Sequence, residues 1–442
     1  MTEASPLDYL FDLEQHGIKL GLDNIRTLCA ALGHPEQSFQ SVIVAGTNGK
    51  GSVAAFIDTA LQVSGLTTGR FTSPHLIHLE ERFCINGRPV SRESLSDLAA
   101  HLQAIICELQ KSGRLEAPPT FFEATTALAL TLFQRSGVDI AVIEVGMGGR
   151  FDATNVVTPI AAVITTVDLD HEQFLGHTLP EIAFEKAGVI KPGILVVTAE
   201  TKSAALAVVR RVCLERRARL VESPQEVTTT VELRDGFTEA ELTTPRANYG
   251  PLRLSLRGRH QVGNACAAVR LLEELDVVPP VPSTAIEAAL ATTYWPGRLE
   301  LLSGGGACLV LTDAAHNSAA AAALGRYLAE VYPNGLPLVF AAMRDKDVVS
   351  IARMLAPHVT RVVCTSLQNP RAFGALELSK IVAEACPDIP TAVQDSPRLA
   401  LETAWSNNDV VCAAGSAYLV GEVTDLLSTR AAWVGVPADQ PQ

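Results

Sequence analysis

Several features that would direct the reading elsewhere are missing from this sequence. No apolar run approaches the roughly 20 residues needed to cross a bilayer, and Met1 to Leu10 has neither the basic start nor the apolar stretch of a secretory signal. A membrane partner is therefore not expected, and the cytoplasm is the expected compartment. The nine cysteines, Cys29, Cys84, Cys213, Cys308 and Cys412 among them, form no C-x-x-C pair and no His-rich cluster at zinc-ligand spacing. They read as small core residues in reducing surroundings. No Lys/Arg run offsets the formal net charge of −13, which repels polyphosphate backbones, so nucleic acid is not an expected partner. No repeat or low-complexity tract is present apart from Gly304-Gly305-Gly306, which reads as the turn of a hairpin.

The chain of 442 residues exceeds the usual size of one compact unit, and 48% hydrophobic against 19% charged residues leaves material for more than one core. Two domains are expected. Val/Ile-rich runs at Ser41 to Ala45, Asp139 to Val145, Ile160 to Val167 and Ile194 to Thr198 alternate with amphipathic stretches, the rhythm of an α/β fold with buried parallel strands. Residues 221–257, rich in Thr and alternating in polarity, read as an antiparallel appendix, followed by a helix around Asn264 to Leu275. The α/β rhythm restarts at Leu299, with strands expected at Cys308 to Thr312, Leu338 to Ala342, Arg361 to Thr365 and Val410 to Ala414 and a helix at Ala319 to Val331. A second, smaller doubly wound domain is expected there, with the boundary near Trp295–Gly297 where Pro and Gly interrupt both patterns.

The sharpest local pattern is an apolar strand, Val42 to Ala45, then Gly46-Thr47-Asn48-Gly49-Lys50-Gly51-Ser52, then Val53, Phe56, Ile57, Ala60 and Leu61 at helical spacing. Glycines in such a turn let backbone N–H groups converge on phosphate oxygens, and the helix N-terminus adds its positive dipole end. Lys50 can neutralise the outer phosphates, and Ser52 can offer a hydroxyl to Mg²⁺. The spacing departs from the common G-x-x-x-x-G-K-[ST] form, because Gly51 separates Lys50 from Ser52. A plain Gly/Asn turn between strand and helix is the alternative.

Glu144 interrupts the apolar run Ile140 to Ile143 and precedes a Gly-rich turn. At the carboxyl end of a parallel strand it would face the crevice of the phosphate loop, as a metal-holding acid should. Its alternative is a carboxylate satisfied by backbone or by Arg150. His171, after Thr165 to Asp170, should emerge on the same rim, whereas Lys186 has no signal of its own.

In order along some 400 residues, Gly46 to Ser52, Thr72-Ser73-Pro74-His75-Leu76, Phe121 to Thr125, Glu144 to Arg150, Glu185-Lys186-Ala187-Gly188, Gly258 to Gln261 with Asn264, Trp295 to Arg298, Asp313 to Asn317 and Gly415 to Glu422 resemble the folylpolyglutamate synthase/dihydrofolate synthase family. The resemblance implies a Mur-ligase-like arrangement. Residues 1–296 would form a central ATP-binding P-loop domain with a parallel sheet and a short N-terminal segment, and residues 297–442 a Rossmann-like glutamate-ligase domain. It implies phosphate contacts from Thr47, Asn48, Gly49, Lys50, Gly51 and Ser52, and Mg²⁺ held by Ser52, Ser73, Glu144 and His171. Asn264 would meet adenine, Arg298 the phosphates, and Asp313 and His316 the nucleotide from the second domain. Lys186 matches a lysine that the family carbamoylates. Lys50, Lys186 and His171 are the implied catalytic set. The pterin side falls on Leu20, Gly21, Leu22, Thr120, Phe121, Phe122, Glu123, Phe151, Asp152 and Ala153, and the glutamate side on Ser416. Phe121 or Phe122 can stack on a flat heterocycle, and both can equally be core residues of a helix start. Phe151, where many relatives have Leu, and Ala417, where Leu is commoner, are departures that leave the reaction class untouched.

The activity implied is ATP- and Mg²⁺-dependent joining of L-glutamate to dihydropteroate or a reduced folate, by a monomer. A Mur-type ligase acting on a UDP-linked cell-wall precursor is the rival within the chemistry, disfavoured because the phosphate loop begins by residue 46. A P-loop nucleotide switch or binding module is the rival from another class.

Overall fold

The computed structural model describes residues 5–434, apart from 18, 304–307 and 407. The turn expected at Gly304-Gly305-Gly306 lies outside the described residues. Three sheets organise the chain. The first holds β1 (Gln40–Ala45), β2 (Thr68–Phe71), β3 (Phe83–Ile85), β4 (Arg88–Pro89), β5 (Ile140–Glu144), β6 (Ala161–Ile164), β7 (Leu195–Thr198) and β8 (Arg219–Glu222). Its order is β4-β3-β2-β5-β1-β6-β7-β8, parallel from β2 to β8 with an antiparallel edge at β3 and β4.

The strands are apolar on both faces because helices cover both. Ile43, Ala45 and Ile143 join a core with helices Arg92–Lys111 and Phe121–Arg135, while Val42, Val44 and Val142 join another with helices Lys50–Val63 and Arg259–Glu274. The order of the central three strands positions the site. The chain leaves β1 for β2, skipping the place that β5 takes, and leaves β5 for β6 on the other side of β1. The loops after β1, β5 and β6 thus open side by side at the carboxyl ends of adjacent strands, the crevice in which α/β sheets bind ligands.

The second sheet is antiparallel: β9 (Thr228–Arg234), β10 (Phe237–Thr243) and β11 (Asn248–Leu254), in the order β11-β10-β9. The expected appendix is therefore real but begins later than residue 221. Arg219–Glu222 pairs in parallel with β7 instead, since helix Ser203–Arg216 returns the chain to the sheet edge. The next helix starts at Arg259, after Gly258 at φ 96°, so Asn264 lies inside it rather than at its start.

The third sheet holds β12 (Glu300–Ser303), β13 (Leu309–Asp313), β14 (Leu336–Phe340), β15 (Val359–Thr365), β16 (Thr391–Gln394) and β17 (Val410–Ala414), ordered β12-β13-β17-β14-β15-β16. It is parallel except for β12, and helices such as Ser318–Val331 pack on it. No helix among the described residues is long and apolar enough to cross a membrane.

Candidate active site

The loop after β1 is built around two glycines. A Cβ at Gly46 (φ 146°) would collide with Thr165 Oγ1, and one at Gly49 (φ 87°) with the side-chain amide of Asn264. Gly49 occupies the N-cap of helix Lys50–Val63 with no side-chain cap, which leaves the first-turn N–H groups for another acceptor. The loop is tied to the end of β6. The Thr47 N–H donates to Thr166 O at 2.6 Å, Asp168 N–H donates to Thr47 Oγ1 at 3.0 Å, and Thr165 Oγ1–H donates to Asn48 O at 2.7 Å. Lys50 Nζ folds back on Thr47 O at 3.2 Å.

Around this loop opens a cavity of about 490 Å³. Thr47, Asn48, Gly49, Lys50, Gly51, Ser52, Ser73, Glu144, His171, Lys186, Asn264, Arg298, Asp313 and His316 all line it, so the nucleotide and metal residues expected from the sequence converge on one space. Glu144 is 4% exposed and accepts the Ser73 N–H at 3.2 Å. Burial pushes its carboxyl upward, opposed by Lys50, the Ser73 N–H, Arg298 and Arg82. Arg150, the alternative partner, pairs with Glu185 at 3.6 Å instead. Burial lowers His171 to about 4, so its imidazole is neutral near pH 7. Asp313 is raised to about 6 by burial, against Arg298, and accepts the Leu299 and Ala315 N–H groups.

Lys186 is buried, and its Nζ donates to Gly46 O at 2.9 Å. Burial, then the charge of Lys50, brings its ammonium down to about 7. Among the described residues no group of three or more His, Cys, Asp or Glu forms a ready-made metal cage.

A second cavity, of about 350 Å³, shares Ser73, Pro74, Gly146, Met147, His171, Arg298, Ala314 and His316 with the first. Its far wall carries Leu20, Gly21, Thr120, Phe122, Glu123, Phe151, Asp152 and Ala153, and its third-sheet side Ser416. Leu22 and Phe121 do not line it. Leu22 precedes helix Asp23–Ala31, and Phe121 stacks on Phe11 at 5.8 Å. Glu123 is committed to a capping box with Thr120 and accepts from Asn24 Nδ2, and Asp152 accepts from Met147 N–H and Thr154. These two carboxylates shape the wall from within.

The sequence reading missed the groups that close the site from the third sheet. Asn317 exchanges side-chain amide hydrogen bonds with Asn48 at 3.0 and 3.2 Å, and Lys346 Nζ sits 2.7 Å from Asp170 Oδ1. Burial would raise Asp170, but His171, Lys346 and His316 outweigh it and hold the carboxyl well below the usual range. The charged run Arg344-Asp345-Lys346-Asp347 just past β14 was the available signal, since charge at the carboxyl end of a parallel strand faces the crevice. Arg82 and Tyr418, also on the second cavity, carried no such signal.

Comparison with known proteins agrees with this geometry. Residues 44–272 match the Mur ligase middle domain and residues 297–417 the Mur ligase glutamate ligase domain. The dihydrofolate synthase/folylpolyglutamate synthase of Bacillus subtilis is 35% identical over 92% of this chain and 95% of its own. A probable bifunctional folylpolyglutamate synthase/dihydropteroate synthase of Halobacterium salinarum is 36% identical over 94% of this chain, which spans about half the length of that relative (50%). Among solved structures, Mycobacterium tuberculosis folylpolyglutamate synthase complexed with ADP and AMPPCP superposes with a TM-score of 0.88 at 31% identity, covering 96% of this chain and 98% of that one. Escherichia coli FolC in complex with DHPP and ADP gives 0.85 at 27%, covering 97% and 99%.

Proposed function

This chain belongs to the folylpolyglutamate synthase/dihydrofolate synthase family, and from that premise we propose that it is an ATP-dependent ligase joining L-glutamate to a folate-type carboxylate, dihydropteroate or a reduced folate. The observation that carries the reading is the meeting of two cavities at Ser73, His171 and Arg298, one around an uncapped helix N-terminus and the other walled by Phe122 and Phe151. An acid in the second cavity would lie beside a nucleotide phosphate in the first.

A carboxylate is unreactive toward amines because oxide is a poor leaving group. The acceptor carboxylate oxygen attacks the γ-phosphorus of ATP, releasing ADP and leaving an acyl phosphate. The glutamate amine then attacks the acyl carbon, inorganic phosphate departs, and the amine loses a proton. The chain's part is positioning and charge. The first-turn N–H groups of helix Lys50–Val63 and the Lys50 ammonium hold the phosphates, Arg298 reaches them from the start of the third-sheet region, and Asn264 borders the base. Asp313 and His316 orient the nucleotide, and Ser416 meets glutamate on the third-sheet side.

Glu144 fits a cation, since its buried carboxylate has no ion pair among the described residues, and Ser52, Ser73 and His171 border the same space. Such an oxygen-rich, incomplete set suits Mg²⁺, which keeps waters and takes phosphate oxygens as further ligands. When bound, Mg²⁺ would offset charge on the phosphates. Carbamoylation of Lys186 would turn its near-neutral amine into an anion facing that site. The division at residues 296/297 is supported by the separate matches at 44–272 and 297–417, and nine free cysteines suit a reducing compartment such as the cytoplasm.

The test is phosphate release from ATP with glutamate and with either dihydropteroate or tetrahydrofolate. Dependence on both acid and amine supports the ligase. Release with a UDP-linked acceptor alone would favour the Mur-type rival, and acid-independent release a nucleotide switch.

A further inference from the structure

Among the described residues three arginines are buried, and two of them are paired. Arg70 meets Asp58 at 2.9 Å, and Arg270 meets Glu226, Glu273 and Glu274. Arg82 is the exception. It ends the turn Leu79–Arg82, is 7% exposed, and lines the second cavity. Among the described residues no carboxylate comes within 4.0 Å of its guanidinium. Its Nε donates to His75 Nδ1 at 2.9 Å, and its plane lies over Phe121 at 5.1 Å. As the acceptor of that bond, His75 Nδ1 carries no proton, so the ring brings no counter-charge. The two terminal nitrogens have no partner among the described residues, and neither is sealed from open space.

A buried cation without a counter-ion is costly, and here burial lowers Arg82 to about 10. Three carboxylates act on it from beyond 4.0 Å: Glu14, which is exposed, and Glu81 and Glu144, which are engaged elsewhere. Glu81 accepts the N–H groups of Leu76, Ile77 and His78, and Glu144 that of Ser73. With Nε anchored and the ring of Phe121 fixing the plane, the free edge of the fork is preset for a planar, bidentate anion. The cavity it borders is the one assigned above to the acceptor.

We propose that Arg82 binds the carboxylate of the acceptor and is the residue that makes the second cavity select an acid over its neutral analogues. This rests on the acceptor reading of that cavity. A carboxamide of the same shape would leave the guanidinium buried and unpaired, which is how polar sites reject close analogues.

The experiment is calorimetric binding of dihydropteroate and of its carboxamide to the full chain with ADP present. The parent should prefer the acid by on the order of ten- to hundredfold, the range of a charge-assisted pair. In Arg82→Met the preference should fall to about threefold or less while ADP affinity stays unchanged. Arg82→Lys, which keeps the charge and the aliphatic stem but loses the fork, should fall between, and it decides the matter if Arg82→Met does not fold. Either variant discriminating as well as the parent would overturn the proposal, as would a parallel loss of ADP affinity, the mark of a merely structural role. A parent that binds both ligands equally would overturn it while leaving the acceptor cavity standing. A parent that binds neither would remove the acceptor reading and this proposal together.

Discussion

Lys186 Nζ donates to the carbonyl oxygen of Gly46 at 2.9 Å, so the helix Leu179–Ala187 is pinned to the first residue of the loop that follows β1. This buried amine has no carboxylate partner among the described residues. Glu185 pairs with Arg150, and Glu181 caps its own helix. With its ammonium brought down to about 7 by burial, a large share is neutral at pH 7.5 and can add CO₂. Intact-protein mass under native, bicarbonate-replete conditions should show a single CO₂ addition, absent in Lys186→Ala. The addition should be lost as pH falls below about 7, where the amine protonates. Short carboxylic acids should partly restore activity to Lys186→Ala. A fully active protein with a bare Lys186 ammonium contradicts this.

Lys50→Ala should abolish ligation and leave the fold intact, because Lys50 stands at a partly exposed helix start rather than in a core. Removing a charge from the phosphoryl site is expected to raise the barrier by about 3–5 kcal/mol, several powers of ten in rate. Thermal unfolding and turnover measured together separate the two effects. Unchanged turnover in a folded variant would remove Lys50 from the nucleotide site.

Glu144→Gln and His171→Ala should each raise the Mg²⁺ concentration needed for half-maximal activity, since both line the phosphate-loop cavity and each would take one ligand from the metal. A parental Mg²⁺ titration in either variant would return that residue to a structural role.

The Asp170–Lys346 pair joins the loop after β6 to the segment after β14, with both side chains 9% exposed. Asp170→Asn leaves the buried Lys346 ammonium only the more exposed Asp345, at 3.4 Å, and should cost about 1–3 kcal/mol in chemical denaturation. Adding Lys346→Met should recover part of that loss, which a double-mutant cycle measures. The sign of the pH effect follows from the depressed carboxyl. Its stabilisation is present above the unfolded value of about 3.9 and is lost as pH falls further toward the folded value. Strict additivity of the two substitutions would show that the contact carries no coupling.

The two α/β units were legible because β1, β5 and β17 are short apolar runs bounded by Gly or charged residues, which a half-buried or helical pattern does not imitate. Two four-residue strands were not. Thr68–Phe71 carries Gly69 and Arg70, and Thr391–Gln394 is partly exposed, so neither shows an apolar signature before its neighbours are known. Gly46 to Ser52 stood out because the loop geometry demands its glycines locally. Arg82, Lys346 and Asn317 did not, because their meaning lies in partners far along the chain: Asp170, Asn48 and a cavity assembled from distant loops. Phe121 illustrates the converse. Its place beside Phe122 in the motif suggested a stacking face, but a helix turns neighbouring side chains apart, and only Phe122 reaches the cavity.

The central claim is that acid activation and amine capture occur in one site, and the most direct measurement is phosphate release from ATP as acceptor and L-glutamate are supplied separately and together. Release should be near background with ATP alone. It should rise only when glutamate accompanies dihydropteroate or tetrahydrofolate, with one glutamate incorporated per ATP consumed. Rates unaffected by omitting the acid, or equal rates with alanine or aspartate in place of glutamate, would contradict the account.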